Sequence, residues 1–210
     1  MLRSPWTTRA LTWVVVFLIC KTVVAIVANY GDYFPPNFQS DFLLNRESHF
    51  FGAYRFAFYI HIIVSPLTLL SGLLLLNRRI RSRRPHLHRT LGKAHIASVL
   101  FLVVPSSLWM SAYAFSGNLA GSGFAILSLV TALCAVQGWI HARERRFEQH
   151  QLWMNRCFVL LCSAIVLRLV SGAGLVMGLE AWWLYPMCAW GSWVLQIAIF
   201  EAFHRLQCRS

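Results

Sequence analysis

Residues 77–93, NRRIRSRRPHLHRTLGK, decide the fold of this chain. This segment is the most basic run in the sequence, and a long apolar segment lies on each side of it. Because so many guanidinium groups cannot be drawn into hydrocarbon, the run predicts a loop that stays on the cytoplasmic side of a membrane. The loop therefore sets the orientation of every apolar segment before and after it.

The composition is that of a protein whose surface faces lipid. The chain has 210 residues, of which 58% are hydrophobic and 12% are charged. A soluble domain has about a quarter of its residues charged. The net charge of +12 would suggest a nucleic-acid partner in a soluble protein,. Here the charges separate apolar segments, so we expect the lipid bilayer as partner and no nucleic acid.

The apolar segments predict an all-α fold, a polytopic bundle of six transmembrane helices that forms a single domain over residues 1–210. Each segment is close to the ~20 residues that cross a bilayer. A polar, aromatic-rich outer loop, residues 30–51, follows the first span and carries no recognisable motif. The predicted spans are 10–29, 52–76, 94–115, 124–140, 152–178 and 181–203.

The distribution of basic residues predicts that both termini are cytoplasmic. Fourteen arginines and lysines fall in predicted inner segments, whereas two, Arg46 and Arg55, fall in predicted outer segments. An excess of this kind marks the cytoplasmic side of a membrane protein. The chain is therefore expected to be a multi-pass membrane protein.

Histidines are concentrated at the predicted inner ends of the spans. His88 and His95 are seven residues apart, which is two turns on one helix face, and His150 opens the fifth span on the same side,. Neutral imidazole binds haem iron and transition metals. The three histidines are candidate metal ligands, and Arg89 and Arg156 are candidates to neutralise an anionic ligand. Interfacial histidines of a basic loop are the alternative.

A second candidate pair lies deeper in the membrane. His61 and Arg168 are at a similar distance from the inner ends of their spans, in the outer part of the bilayer,. An ionisable side chain inside a span needs a partner and marks a functional site by default. A haem propionate, a quinone oxygen, a lipid phosphate or a backbone carbonyl would serve Arg168.

The order of these residues resembles a family of predicted bacterial membrane proteins, domain of unknown function 2306. The resemblance runs from about His61 to Arg168 and beyond. It implies a multi-span protein of the bacterial cytoplasmic membrane and supplies no established activity. The family pattern shows tyrosine at His95, which makes His95 the weakest member of the inner site. The motifs are His61, His88-Arg89-x-x-Gly92-Lys93, His150-x-x-Trp153-Met154-x-Arg156 and Arg168-Leu169.

Two functions are compatible with these patterns. The first is a cytochrome-like redox protein that holds haem b or a transition metal near the cytoplasmic face through His88 and His150. Its outer pair, His61 and Arg168, would bind a quinone or exchange protons, and a membrane redox partner would be required. The second is a non-enzymatic membrane protein: a small transporter, a lipid-binding protein or a subunit of a larger assembly.

Overall fold

A computed structural model describes residues 5–40, 42–44, 46–114, 116–178 and 183–209. These residues are almost entirely helical, which confirms the predicted all-α fold. Within them, five helical stretches are long and apolar enough to cross a membrane. The chain divides into two compact units, Met1–Arg55 and Phe56–Ser210. The five stretches are Thr12–Asp32, Ala53–Leu75, Pro85–Ser111, Gly117–Arg143 and Phe147–Gly174.

The first unit contains α1 (Pro5–Ala28), a short 3-10 helix (Asn29–Asp32) and α2 (Glu47–Phe50). The segment between them folds around the buried side chain of Arg46. Its Nε donates to the carbonyl of Phe42 at 2.8 Å, and its Nη1 donates to the hydroxyl of Tyr54 at 3.1 Å. These bonds give the outer loop predicted over residues 30–51 a defined structure.

The second unit holds most of the helices. They are α3 (Ala53–Leu75), which begins in the first unit, α4 (Arg78–Arg83), α5 (Pro85–Ser98), α6 (Val104–Ser111), α7 (Gly117–Arg143), α8 (Phe147–Leu161), α9 (Ser163–Val176) and α10 (Leu184–Arg209). α7 packs on α6, α8 and α10, and α10 also packs on α8 and α9. Their shared core is built from residues 99–103, α6, α7, α8 and α10 and contains Val99, Val104, Cys134, Ala135, Cys157, Leu160 and Trp193.

The basic segment is helical, which differs from the predicted loop. Asn77 caps α4 by accepting a hydrogen bond from the backbone N–H of Arg79 at 2.8 Å,. Pro85 then begins α5, because proline lacks the N–H that a first helical residue does not use,. The third span therefore begins at Pro85 rather than at residue 94. Consequently, the His88-Arg89 motif lies on the first turns of a helix.

A proline also interrupts the third span at its middle. A π-helical segment, Val99–Val103, joins α5 to α6, and Pro105 follows it. Proline cannot donate to the carbonyl one turn earlier, so nearby carbonyls must find other donors. The hydroxyl of Ser106 donates to the carbonyl of Leu102 at 2.6 Å and also lies 3.0 Å from that of Val103. Ser106 is thereby fixed inside the bundle.

The remaining spans agree with the predicted ones apart from their ends. The predicted span 152–178 is divided at Cys162 into α8 and α9. The predicted span 181–203 corresponds to α10, although residues 181 and 182 lie outside the described residues. α10 carries Glu201 and is not among the five apolar stretches. The positions of the two termini relative to a membrane remain predictions.

Candidate functional site

The inner site is built from the first turns of α5 and α8. His88 lies on α5 and His150 on α8, and the two imidazoles are close enough to interact electrostatically. His88 is half-buried, and its Nδ1 atom is buried without a hydrogen-bond partner among the described residues. The structure therefore brings together two of the three histidines that were predicted to form the inner site.

A backbone carbonyl fixes the ring of His150. Nδ1 lies 2.7 Å from the carbonyl oxygen of Gly138 on α7. Because a carbonyl oxygen can only accept, Nδ1 carries the proton and donates it, which leaves Nε2 with its lone pair. This is the arrangement in which proteins hold imidazoles that ligate metals. His150 is thus oriented as a ligand or proton acceptor through Nε2.

Gly138 allows α7 and α8 to approach each other closely because it has no side chain. A Cβ atom at this position would lie 2.5 Å from the sulfur of Met154 and 3.1 Å from its Cγ. Met154 is one turn after His150 on the same face of α8,. The close contact between α7 and α8 therefore gives Met154 a packing role.

Two exposed arginines, Arg81 and Arg89, lie close to His88 in the sequence. Arg81 of α4 is close enough to His88 to interact with it electrostatically, and its Nη1 donates to the side-chain oxygen of Gln151 at 3.4 Å. Arg89 is exposed on α5. Arg81 was not predicted as a site residue. The feature that could have identified Arg81 is its place in the basic run 77–93, but the run alone does not indicate which arginine is directed toward α8.

Arg156 is engaged by a carboxylate that the sequence analysis missed. Its guanidinium donates two hydrogen bonds to Glu201 of α10, Nε to Oε1 at 2.6 Å and Nη2 to Oε2 at 3.0 Å. It also lies over the ring of Trp153, 4.6 Å from the ring centroid. A bidentate pair of this kind is strong and directional. The feature that could have identified Glu201 is that it is an acidic residue within the predicted span 181–203.

His95 faces α3. Its Nδ1 lies 2.8 Å from the hydroxyl of Ser71, whose own proton is directed at the carbonyl of Thr68 at 3.0 Å. The serine oxygen therefore accepts from the imidazole. His95 is 3% exposed and packs against Gly72. Among the residues that the structure describes, no group of three His, Cys, Asp or Glu side chains could hold a metal ion.

The two residues predicted as the outer pair lie on α3 and α9. His61 of α3 and Arg168 of α9 are close enough to interact electrostatically. Nδ1 of His61 lies 3.3 Å from the hydroxyl of Ser106, which accepts from the ring because its proton points to the Leu102 carbonyl. Arg168 is exposed and donates to the carbonyl of Ala164 at 3.2 Å. Nε2 of His61 is left with its lone pair, as it is in His150.

The comparisons with known proteins give a family. The sequence model of the family described as "Predicted membrane protein (DUF2306)" matches residues 58–203, which include every candidate histidine and arginine of both sites. Neither a curated protein nor a solved structure matches the chain.

Proposed function

We propose a function for this chain, which belongs to the DUF2306 family of predicted membrane proteins, from its inner histidine pair. The chain is an integral membrane redox protein of cytochrome-like type. It binds a haem b, or a transition metal in its place, between His88 and His150 near the cytoplasmic face. The observation that carries the proposal is that these two imidazoles, on the first turns of α5 and α8, are close enough to interact electrostatically.

The surroundings of the two rings support a ligand role. The Gly138 carbonyl holds the proton of His150 on Nδ1, so that Nε2 is available for coordination,. Nδ1 of His88 is buried and has no partner among the described residues. A buried nitrogen without a partner is costly, and a bound group would remove that cost.

The number of ligands favours haem over a zinc-like ion. A haem iron is completed by two axial ligands, whereas a structural zinc site takes four protein ligands. His95 bonds to Ser71, and the described residues contain no cluster of three potential metal ligands. Two imidazoles without a third ligand therefore fit haem better.

The charged residues near the pair suit the carboxylates that a haem carries. Arg89 is exposed and Arg81 interacts with His88, so both can neutralise a propionate,. Arg156 was predicted to share this role. Its pairing with Glu201 instead supports a role in holding α8 against α10. Arg81 and Arg89 would then be the residues that neutralise the propionates.

The outer pair suits a quinone. When bound, haem supplies one-electron transfer, and a membrane protein of this kind needs a lipid-soluble redox partner. His61 presents the lone pair of Nε2 to a quinol hydroxyl, and Arg168 offers guanidinium donors to a quinone carbonyl. The hydrogen bond from His61 to Ser106 fixes the ring orientation that this role requires.

The test is a spectrum of the purified protein. We expect the wild type, expressed with a haem precursor and with iron, zinc and copper available, to show a Soret band and about one haem per chain. His88→Ala and His150→Ala should each abolish the band while the protein remains inserted and monodisperse. His141→Ala is the matched control, because His141 is also near the inner end of a span and its Nδ1 lies 3.7 Å from a carboxylate oxygen of Glu144.

Two results would contradict the proposal. If the wild type contained neither haem nor stoichiometric metal, the non-enzymatic alternative would replace it. If His141→Ala removed the band as completely as His150→Ala, the ligands would have been wrongly assigned.

A further inference from the structure

The arginines of α4 have no carboxylate partner within the described chain. Each of the arginines from residue 78 to residue 84 is exposed. Among the described residues, the side-chain hydrogen bond from α4 to another part of the bundle is the one that Arg81 donates to Gln151 of α8. Ion pairs found among the described residues join other groups, and they include His141–Glu144, Arg146–Glu144 and Arg156–Glu201.

Few carboxylates are available to neutralise these arginines. Of the seven acidic residues in the chain, those beyond residue 56 are Glu144, Glu148, Glu180 and Glu201. Glu144 and Glu201 are already paired, and Glu148 lies in the first turn of α8, where it complements the helix dipole,. Glu180 lies outside the described residues. Within the described residues no protein carboxylate neutralises α4, so its counter-charge comes from solution or from another molecule.

The position of α4 indicates which molecule supplies this counter-charge. The candidate span Ala53–Leu75 ends at Leu75, and α4 begins at Arg78, within one turn of the membrane boundary,. Phospholipid phosphates lie at this depth. All five basic residues are arginines, whose planar guanidinium groups bind phosphate oxygens in a bidentate manner,.

We propose that α4 is a binding surface for anionic phospholipids. The surface, which we term the arginine face, consists of the exposed residues Arg78, Arg79, Arg83 and Arg84. Its ligands are the phosphodiester headgroups of lipids with net negative charge, such as phosphatidylglycerol. This proposal does not depend on the histidine pair or on a bound haem.

The test compares two headgroups on one protein. Full-length wild type in neutral detergent is mixed with phosphatidylglycerol or phosphatidylcholine of the same acyl composition, and the retained lipids are counted by native mass spectrometry. We expect several phosphatidylglycerol molecules and few phosphatidylcholine molecules to be retained. Raising the salt concentration should reduce the difference, because exposed charges are screened.

A pair of matched variants assigns the binding to α4. Arg78→Gln/Arg79→Gln/Arg83→Gln should retain about tenfold less phosphatidylglycerol, because each arginine at an anionic surface contributes separately. Arg81 is kept because it contacts Gln151. The control, Arg143→Gln/Arg145→Gln/Arg205→Gln, removes the same charge from exposed positions elsewhere and should retain nearly the wild-type number.

Three outcomes would overturn the proposal. One is equal retention of the two headgroups by the wild type. Another is an equal loss in the two triple variants, which would indicate a general effect of net charge. A third is complete displacement of the lipid by a short DNA duplex at the same phosphate concentration, which would indicate a site for soluble polyanions. If the wild type shows the headgroup preference but no Soret band, the lipid surface stands and the haem proposal fails.

Discussion

His150 donates a hydrogen bond from Nδ1 to the carbonyl oxygen of Gly138 at 2.7 Å. Through this bond α7 determines the tautomer of an imidazole on α8. The absence of a side chain at Gly138 lets the two helices approach, because Met154 occupies the space that a Cβ would need. Packing and the chemistry of the proposed site are therefore coupled at one residue.

The first prediction follows from this coupling. Gly138→Ala should destabilise the protein by about 1–3 kcal/mol, since overpacking moves Met154 and the α8 backbone. It should also weaken any haem band by displacing His150. The measurements are thermal unfolding in detergent and the absorption spectrum. Gly172→Ala is the control, because nothing lies within 4 Å of a Cβ at Gly172. Equal effects of the two variants would contradict the coupling.

The second prediction concerns the pair Arg156–Glu201. Glu201→Gln and Arg156→Gln should each destabilise the protein, and the double variant should recover part of the loss. The expected coupling is about 0.5–3 kcal/mol, because the two groups share two hydrogen bonds and are only half-buried,. Unfolding of all four proteins in a double-mutant cycle measures it. Strictly additive effects would show that the ion pair does not hold α8 against α10.

The third prediction compares two neighbours on α3. Ser71→Ala removes an interhelical hydrogen bond with His95, and such bonds in membranes contribute about 0.6 kcal/mol on average,. Gly72→Ala should cost more, because its Cβ would lie 2.7 Å from the ring of Phe158 and 3.2 Å from that of His95. Thermal unfolding of both variants decides the order. A larger loss in Ser71→Ala would mean that the hydrogen bond outweighs the packing.

These contacts show where sequence patterns suffice. Hydropathy and charge predicted the helical class and the approximate spans, because both are local properties of the chain. Because His88 and His150 both lie at the predicted inner ends of their spans, the sequence also predicted that the two side chains could approach each other. The partners of Arg156 and His95 required knowledge of which helices are neighbours. A backbone acceptor such as the Gly138 carbonyl has no signature in the sequence at all.

The fourth prediction concerns acidification of the outer segment. Burial, and then the positive charge of Arg46, lower the pKa of His49 from its ordinary value. The unfolded segment therefore binds a proton more readily than the folded one. The contribution of His49 to the free energy of unfolding is constant above about pH 6.5 and falls as the pH decreases below that value. Limited proteolysis of residues 30–51 at pH 5.5 and pH 7.5 should show faster cleavage at the lower pH.

The variant His49→Gln controls for the other titratable groups of the segment, which include Asp32 and Glu47. It should lose most of the difference between the two pH values. If cleavage of His49→Gln kept the wild-type pH dependence, the acidic groups and not the imidazole would be responsible.

The last prediction is that α10 crosses the membrane. α10 has 26 residues, which is about 39 Å of helix, and it packs along α7, α8 and α9,. Contacts with these three helices favour a position of α10 within the bundle over one on its surface. Its carboxylate at Glu201 is neutralised by Arg156, which lowers the cost of placing it near the inner boundary,. The chain would then have six spans and both termini on one side.

Reporter fusions decide between six spans and five. We expect them to alternate, starting outside, because each lies at or near the end of a predicted span, and a fusion at the C-terminus should be inside. With five spans, the C-terminal reporter would be on the same side as the one that precedes α10. Two adjacent reporters on one side would contradict the six-span arrangement. The internal fusion positions are after Gly31, Arg84, Gly117, Arg145 and Gly178.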